Sequence, residues 1–266
     1  MISIKDYRII TEKIYEVYRI DYRNYAISFL RRKIGDAVKN LNYKNFNNFT
    51  NDVIHNEKLF YNFIYELEVA NTEMFRDPSV WRVIRNNIIP ELKFDSTIKI
   101  WFPVFSSGED VLSMAILLKE MNLLDKSKIY ISSHCKKNYE KFKENTYTIK
   151  RKDINSDNYE RFNGIAKLSD YYKIINKRIV MNTSLIENIT FINDSFLDKT
   201  VNGVKLIMFR NKMLYYNNSL KEKALDKLTE SIIPNGYLIL GIKETFNYNV
   251  MNYREFNNEE RIYKKI

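Results

Sequence analysis

The sequence predicts an α/β fold, a mostly parallel sheet flanked by helices, preceded by an all-α N-terminal segment. Three observations predict it. From Ile98 onward, short apolar runs alternate with amphipathic helical stretches, the pattern of strand–helix–strand units. Residues 2–70 instead carry apolar side chains at three- and four-residue spacing. Ile98 to Lys119, IKIWFPVFSSGEDVLSMAILLK, reads as strand, turn and helix in unbroken succession.

A first helix is predicted over Ile4 to Ile20, where Ile9, Ile10, Ile14, Val17 and Tyr18 recur at helical spacing. Two more cover Tyr25 to Leu41 and Phe60 to Ala70. Ile98 to Phe102 is a strand, followed by a helix from Glu109 to Met121 with Val111, Leu112, Ala115, Ile116 and Leu118 inward. Lys128 to Ile131 is the second strand, and a helix starts near Lys137. Tyr159 to Asn193 breaks the alternation: Ile179–Met181 and Ile189–Phe191 are short apolar runs in a polar stretch, which predicts a small β-insert over 159–193. Val204 to Met208 is a strand, Ser219 to Ile233 a helix and Tyr237 to Gly241 a further strand. The expected organisation is a helical segment, 1–70, and an α/β segment, 71–266, carrying the insert.

With 266 residues, 45% apolar and 14% aromatic, the chain can bury a substantial core. One cysteine, Cys135, excludes a disulfide framework, and His55 and His134 match no metal-ligand spacing. With no leader pattern at Met1 and no apolar run of membrane-spanning length, a cytoplasmic protein without membrane insertion is expected. The net charge of +10 is uneven: residues 136–178 hold twelve Lys/Arg against six Asp/Glu, while residues 1–70 hold eleven against nine. That basic segment is either a solvated face or a surface that attracts nucleic acid, an anionic membrane face or an acidic protein segment. Nucleic acid is the disfavoured partner, because the helical N-terminus carries no recognition motif.

Two turns stand where ligands bind in open α/β sheets, at the carboxyl ends of strands. The first, Pro103 to Gly108, precedes a helix whose positive end can hold a polar ligand tail. Glu109 and Asp110 in its first turn offset the helix dipole, and either could bind a cationic amine; the plain alternative is a helix capped by Ser107. The second, FRNKMLYY over Phe209 to Tyr216, puts an Arg, an Asn and a Tyr at the end of the strand from Val204. A third run, NTEMFRDP over Asn71 to Pro78, places Thr, Phe, Arg, Asp and Pro in an order that a plain surface loop has little reason to adopt.

These three runs, with PNGYLILG and Glu244 close behind it, follow one another in an order and spacing that resembles the CheR family of chemotaxis-receptor methyltransferases. The resemblance covers nearly the whole chain. It implies a Rossmann-like class I S-adenosylmethionine-dependent methyltransferase domain, a substrate-contacting helical N-terminus, a β-subdomain where 159–193 lies, and methyl transfer to protein glutamate side chains. It also implies roles. Thr72 and Arg76 face cofactor and substrate; Glu109 binds the methionyl amine, with Ser106 and Gly108 in the cofactor turn; Asn211 lines the pocket; Arg76, Arg210 and Tyr215 surround the transfer centre.

Against the family pattern, Val104 and Phe105 replace small residues, Ser133 replaces the ribose-binding Asp, and Ser195 replaces an adenine-side Asn. Weakened cofactor binding is therefore expected. Losing charge-assisted bonds from a carboxylate costs on the order of 1.5–3 kcal/mol, or roughly ten- to a hundredfold in affinity. Two readings stand: an active protein-glutamate methyltransferase of a signalling protein, and a catalytically inactive binding module of the same descent, docking through 136–178.

Overall fold

The computed structural model describes residues 2–68, 73–247 and 252–266, so Thr72 lies outside the described residues. Four helices open the chain: α1 (Ile4–Tyr18), α2 (Ile27–Asn40), α3 (Phe46–His55) and α4 (Glu57–Leu67). Ser3 and Asp6 close a capping box on α1, and the Asn45 side chain accepts the Asn47 and Asn48 N–H groups at the start of α3. Asn56 both ends α3 and caps α4, accepting from Leu59 N–H. The two helices abut there, and α4 starts three residues before the predicted Phe60. The α3 helix is absent from the sequence expectation, although Phe46, Phe49, Thr50 and Val53 have helical spacing. The bundle core is built from Tyr7, Ile10, Ile14, Leu30, Phe49, Phe60 and Phe63, and it takes in Cys135 from the α/β part. Of the α1 residues expected to point inward, Ile9 and Val17 are exposed, whereas Tyr7 and Thr11 are buried. The buried face is turned by about one residue from the run of isoleucines.

Two short helices, α5 (Pro78–Val83) and α6 (Ile89–Leu92), flank a π-helical turn, Ile84–Ile88. Pro90 has no N–H to donate and crowds the preceding carbonyls, so the hydrogen-bond ladder slips and Ile89 N–H reaches Ile84 O.

The α/β part runs β1 (Ile98–Phe102), α7 (Glu109–Glu120), β2 (Ser127–Ser132), α8 (Lys136–Lys143), β3 (Thr146–Thr148), α9 (Lys152–Phe162), β4 (Tyr172–Ile175), β5 (Arg178–Met181), β6 (Ile189–Ile192), β7 (Val204–Phe209), α10 (Asn218–Ser231), β8 (Ile232–Leu240), β9 (Tyr253–Asn257) and β10 (Ile262–Lys265). The large sheet has the order β6-β2-β1-β7-β8-β10-β9, with β10 antiparallel to both its neighbours. Its central strands are covered on both faces. On β1, Ile98, Ile100 and Phe102 enter one core and Trp101 the other; on β7, Leu206 and Met208 face the first and Ile207 and Phe209 the second. Such two-sided burial is why these strands are nearly continuous apolar runs. The chain winds outward from β1 to β2 and β6, then returns to pair β7 with β1 on the other side. The strand order reverses there, opening a crevice at the carboxyl ends of β1 and β7. This is the Rossmann-like α/β architecture.

The irregular stretch divides differently from the expectation. The small antiparallel sheet, β3-β5-β4, begins at Thr146, ahead of residue 159. Ile189–Ile192 pairs with β2 as the edge of the large sheet. A four-residue apolar run reads the same in either sheet, and only the partner strand distinguishes them.

Candidate active site

Three chain segments converge on the crevice. The first is the β1–α7 turn. Gly108 has φ 94°, a left-handed conformation that favours glycine, and a Cβ there would meet the Phe142 ring at 2.4 Å. Gly108 itself, with no side chain, is the N-cap of α7; Ser107 does not cap the helix but hydrogen-bonds the Glu109 carboxyl. Phe105 turns its ring edge-on to Phe142 and is almost fully buried, so much of its bulk is absorbed by the core. Val104 stands between two cavities and lines both.

The second segment is Glu73 to Pro78. Phe75 and Asp77 both have positive φ, 50° and 54°, an uncommon state for side-chain-bearing residues that the surroundings must hold in place. Phe75 N–H donates to Ser113 Oγ at 2.8 Å, its ring stacks on Phe162, and Met74 is bracketed by Asn155 and Asn158. The kink presents Arg76 outward. Its side chain is exposed and lines the smaller cavity.

The third segment is Arg210 to Tyr216 at the end of β7. The Arg210 side chain is 2% exposed, 2.5 Å from Asp77 Oδ2 and 3.7 Å from Asp110 Oδ1, and it also donates to Arg76 O at 3.1 Å. Arg210 is thus a buried, neutralised strut, whereas Arg76 is the guanidinium open to the cavity. The Glu244 carboxylate shapes this loop. It accepts Asn211 N–H and Gly241 N–H at 2.7 and 2.6 Å and Leu214 N–H at 3.4 Å. Gly241 is required by close approach, since a Cβ there would lie 2.4 Å from Asn211 Oδ1. Burial raises the Glu244 pKa, and the backbone N–H donors hold it back. Glu244→Ala strands these donors, each worth about 1–3 kcal/mol when buried and unpaired. Thermal unfolding of the variant is expected to begin several degrees lower; an unchanged melting curve would refute the clamp.

The Tyr215 ring stacks on Phe29 of α2 at 3.9 Å, and its carbonyl accepts Ala26 N–H at 2.8 Å. The helical bundle therefore reaches the site directly.

The cavities have volumes of ≈ 630 and ≈ 340 Å³ and share Val104, Lys212 and Tyr215. The smaller one holds Arg76, Ser106, Gly108, Glu109, Arg210 and Asn211; Ser133 and Ser195 line the larger. So the expected site residues within the described part fall in two adjoining chambers, with Tyr215 at the neck. Glu109 is 9% exposed, and its Oε2 has no hydrogen-bond partner among the described residues. Burial pushes its pKa up to about 7, partly opposed by the Ser107 hydrogen bond. A buried carboxyl oxygen without a donor, at the end of the smaller chamber, fits a ligand ammonium.

The larger chamber contains groups that the sequence reading passed over. His134 Nε2 lies 2.7 Å from the Tyr22 hydroxyl and 3.8 Å from Glu68 Oε1. Burial drives the His134 pKa down to about 4 and the Glu68 pKa up to about 7, so at neutral pH their contact is not an ion pair. Burial also lowers the Lys212 pKa, against the pull of Glu68, Asp110 and Glu244. No cluster of His, Cys, Asp and Glu among the described residues could hold a metal ion.

Residues 70–262 match the family described as CheR methyltransferase, SAM binding domain. The chain is 30% identical to Cher3 of Pseudomonas putida over 97% of this chain and 96% of that one. The chain belongs to the CheR methyltransferase family. It is also 26% identical to a chemotaxis protein methyltransferase of Borreliella burgdorferi, over 87% of each chain, and 23% identical to one of Listeria monocytogenes, over 90% of each. The cofactor of this CheR domain is S-adenosylmethionine, and the chambers fit it in kind: a buried carboxyl with one oxygen unpartnered among the described residues for the ammonium end, a larger chamber for the nucleoside, and Tyr215 lining both. Among the described residues no helix is long and apolar enough to cross a membrane.

Proposed function

We propose that this CheR-family protein methylates glutamate carboxylates of a signalling protein, with the helical segment 1–70 and the α/β segment 71–266 closing on the substrate together. The observation that carries the reading is the exposed Arg76 at the smaller chamber, beside Tyr215 at the neck. Bound S-adenosylmethionine would supply an electrophilic methyl group to the carboxylate oxygen and leave as the neutral thioether, its sulfur keeping the electron pair. No proton need move, so the work of the protein is alignment. Arg76 offers a bidentate contact to the incoming carboxylate. Arg210 holds Asp77 and the Arg76 carbonyl, and so sets where Arg76 stands. Tyr215, wedged by Phe29, would fix the line of approach and could offer a π-face to the sulfonium. Glu109 and Asn211 would hold the cofactor, with Ser106, Gly108, Ser133 and Ser195 along its walls; the family resemblance gives Thr72, outside the described residues, the same role. The basic segment 136–178 would meet acidic residues of the partner, which makes the reaction salt-sensitive.

Methyl transfer from labelled S-adenosylmethionine to a glutamate-bearing chemoreceptor segment, released by mild alkali as methanol, tests this reading. Arg76→Ala is expected to lower the rate by roughly a hundredfold or more through lost orientation. Undiminished transfer by that variant would sink the assignment of Arg76.

The second reading, an inactive binding module with weakened cofactor affinity, is favoured by Val104 at the neck and by Lys212 lining both chambers, a cationic side chain beside the place a sulfonium would occupy. Absence of S-adenosylhomocysteine binding at millimolar concentration, in a calorimetric titration, would decide for it.

A further inference from the structure

In an open α/β sheet that binds a nucleoside, a carboxylate at the end of the second strand commonly holds the ribose hydroxyls. Here β2 ends Ser132-Ser133-His134, with no carboxylate. The Ser133 hydroxyl already accepts Cys135 N–H at 3.0 Å. A carboxylate nevertheless reaches the same chamber from outside the sheet. Glu68, at the carboxyl end of α4, lines the larger chamber, its side chain is 14% exposed, and its Oε1 stands 3.8 Å from the His134 ring. That separation is too long for a hydrogen bond, and the Glu68 carboxyl accepts none among the described residues. It is an acceptor with two oxygens, held in a chamber of nucleoside size and drawn towards its charged form by Lys212 and Lys33.

We propose that Glu68, supplied by the helical bundle, accepts the ribose hydroxyls of the nucleoside, replacing the carboxylate that the sheet lacks. A vicinal diol offers the two donors that such an acceptor can take, and neutral His134 beside it leaves the carboxylate free to take them. Nucleoside binding then depends on the bundle being docked, because Glu68, Tyr22 and Phe29 wall the chamber from the bundle side and Ser133 and Ser195 from the α/β side. The inference deepens the cofactor reading above and rests on it for the identity of the ligand. Of the other carboxylates lining the chamber, Asp194 spends Oδ1 on Ser195 N–H at 2.8 Å, Asp21 is held by Arg23 at 2.9 Å, and Asp198 is exposed.

Calorimetric titration of the full chain with S-adenosylhomocysteine, adenosine and 2′,3′-dideoxyadenosine separates the possibilities. Wild-type protein is expected to prefer adenosine over the dideoxy analogue by roughly ten- to a hundredfold. Glu68→Gln should abolish that preference while leaving dideoxyadenosine affinity unchanged, and Glu68→Asp should retain part of it. Asp194→Asn should keep it whole. A preference that survives in Glu68→Gln, or disappears only in Asp194→Asn, overturns the proposal. Hydroxyl-dependent adenosine binding without S-adenosylhomocysteine binding would sink the cofactor reading and leave Glu68 assigned; binding of neither nucleoside overturns both.

Discussion

Arg210→Met is expected to remove methyl transfer and to lower the melting temperature by about 4–12 °C. The guanidinium is enclosed between Asp77, Asp110 and the Arg76 carbonyl. Removing one partner of a buried pair commonly costs about 3–5 kcal/mol, because the other charge is left without compensation. Asp77 and Asp110 retain 31% and 21% exposure, so solvent recovers part of that, and about 2–3 kcal/mol is the appropriate scale. At roughly 2–4 °C per kcal/mol for a chain near this size, the shift follows. Activity should fall further than stability, since Asp77 and Arg76 adjoin in a kinked segment and move together when the strut goes. Adding Asp77→Asn to Arg210→Met should recover part of the melting temperature and none of the activity. A single Arg210→Met variant with wild-type melting and turnover would refute the strut.

The second large effect concerns Glu109. Through Glu109 alone, affinity for S-adenosylhomocysteine is expected to rise about tenfold per pH unit between pH 5 and pH 7 and then to level off. In the unliganded protein burial holds the Glu109 pKa at about 7, so below that pH the carboxyl must lose a proton before it can pair with the ligand ammonium. Stability runs the other way. A carboxyl whose folded-state pKa exceeds its unfolded value stabilises the fold below the unfolded pKa, near 4.5, and that contribution is lost as pH rises through 7. Glu68, also near 7, has the same sign. His134, held near 4 against an ordinary 6.5, opposes them, its contribution being lost as pH falls from 6.5 towards 4. Glu109→Gln should weaken binding at pH 8 by roughly ten- to a hundredfold and remove its share of the pH slope, leaving only what Glu68 contributes. Titrations at five pH values, with wild type and variant in parallel, check both statements. A variant whose profile superimposes on that of wild type would rule out Glu109 as the ammonium partner.

Local sequence determined the frame. The apolar runs at Ile98, Lys128, Val204 and Tyr237 predicted four sheet strands because two-sided burial leaves a continuous hydrophobic signature in a handful of adjacent residues. Gly108 and Gly241 sit where the backbone has a positive φ or another loop approaches closely, and a glycine marks that need within its own neighbourhood. The motifs around Arg76, Glu109 and Arg210 were legible through their resemblance, in order and spacing, to the CheR family. Other features carry no local signature. Ile189–Ile192 belongs to the large sheet only because β2 is there to pair with it. Two arginines in two motifs read alike, yet Asp77, 133 residues from Arg210, makes one of them a strut while the other stays open to the cavity. Tyr22 and His134 are 112 residues apart and meet through a 2.7 Å contact, with Glu68 beside them, and Phe29 lies under Tyr215. The sequence by itself thus determined the class of fold, through interactions between near neighbours, and the family, through the resemblance of its motifs. Which groups are buried, which are paired and which face the ligand was decided only by tertiary packing, because desolvation and charge pairing depend on residues far apart along the chain.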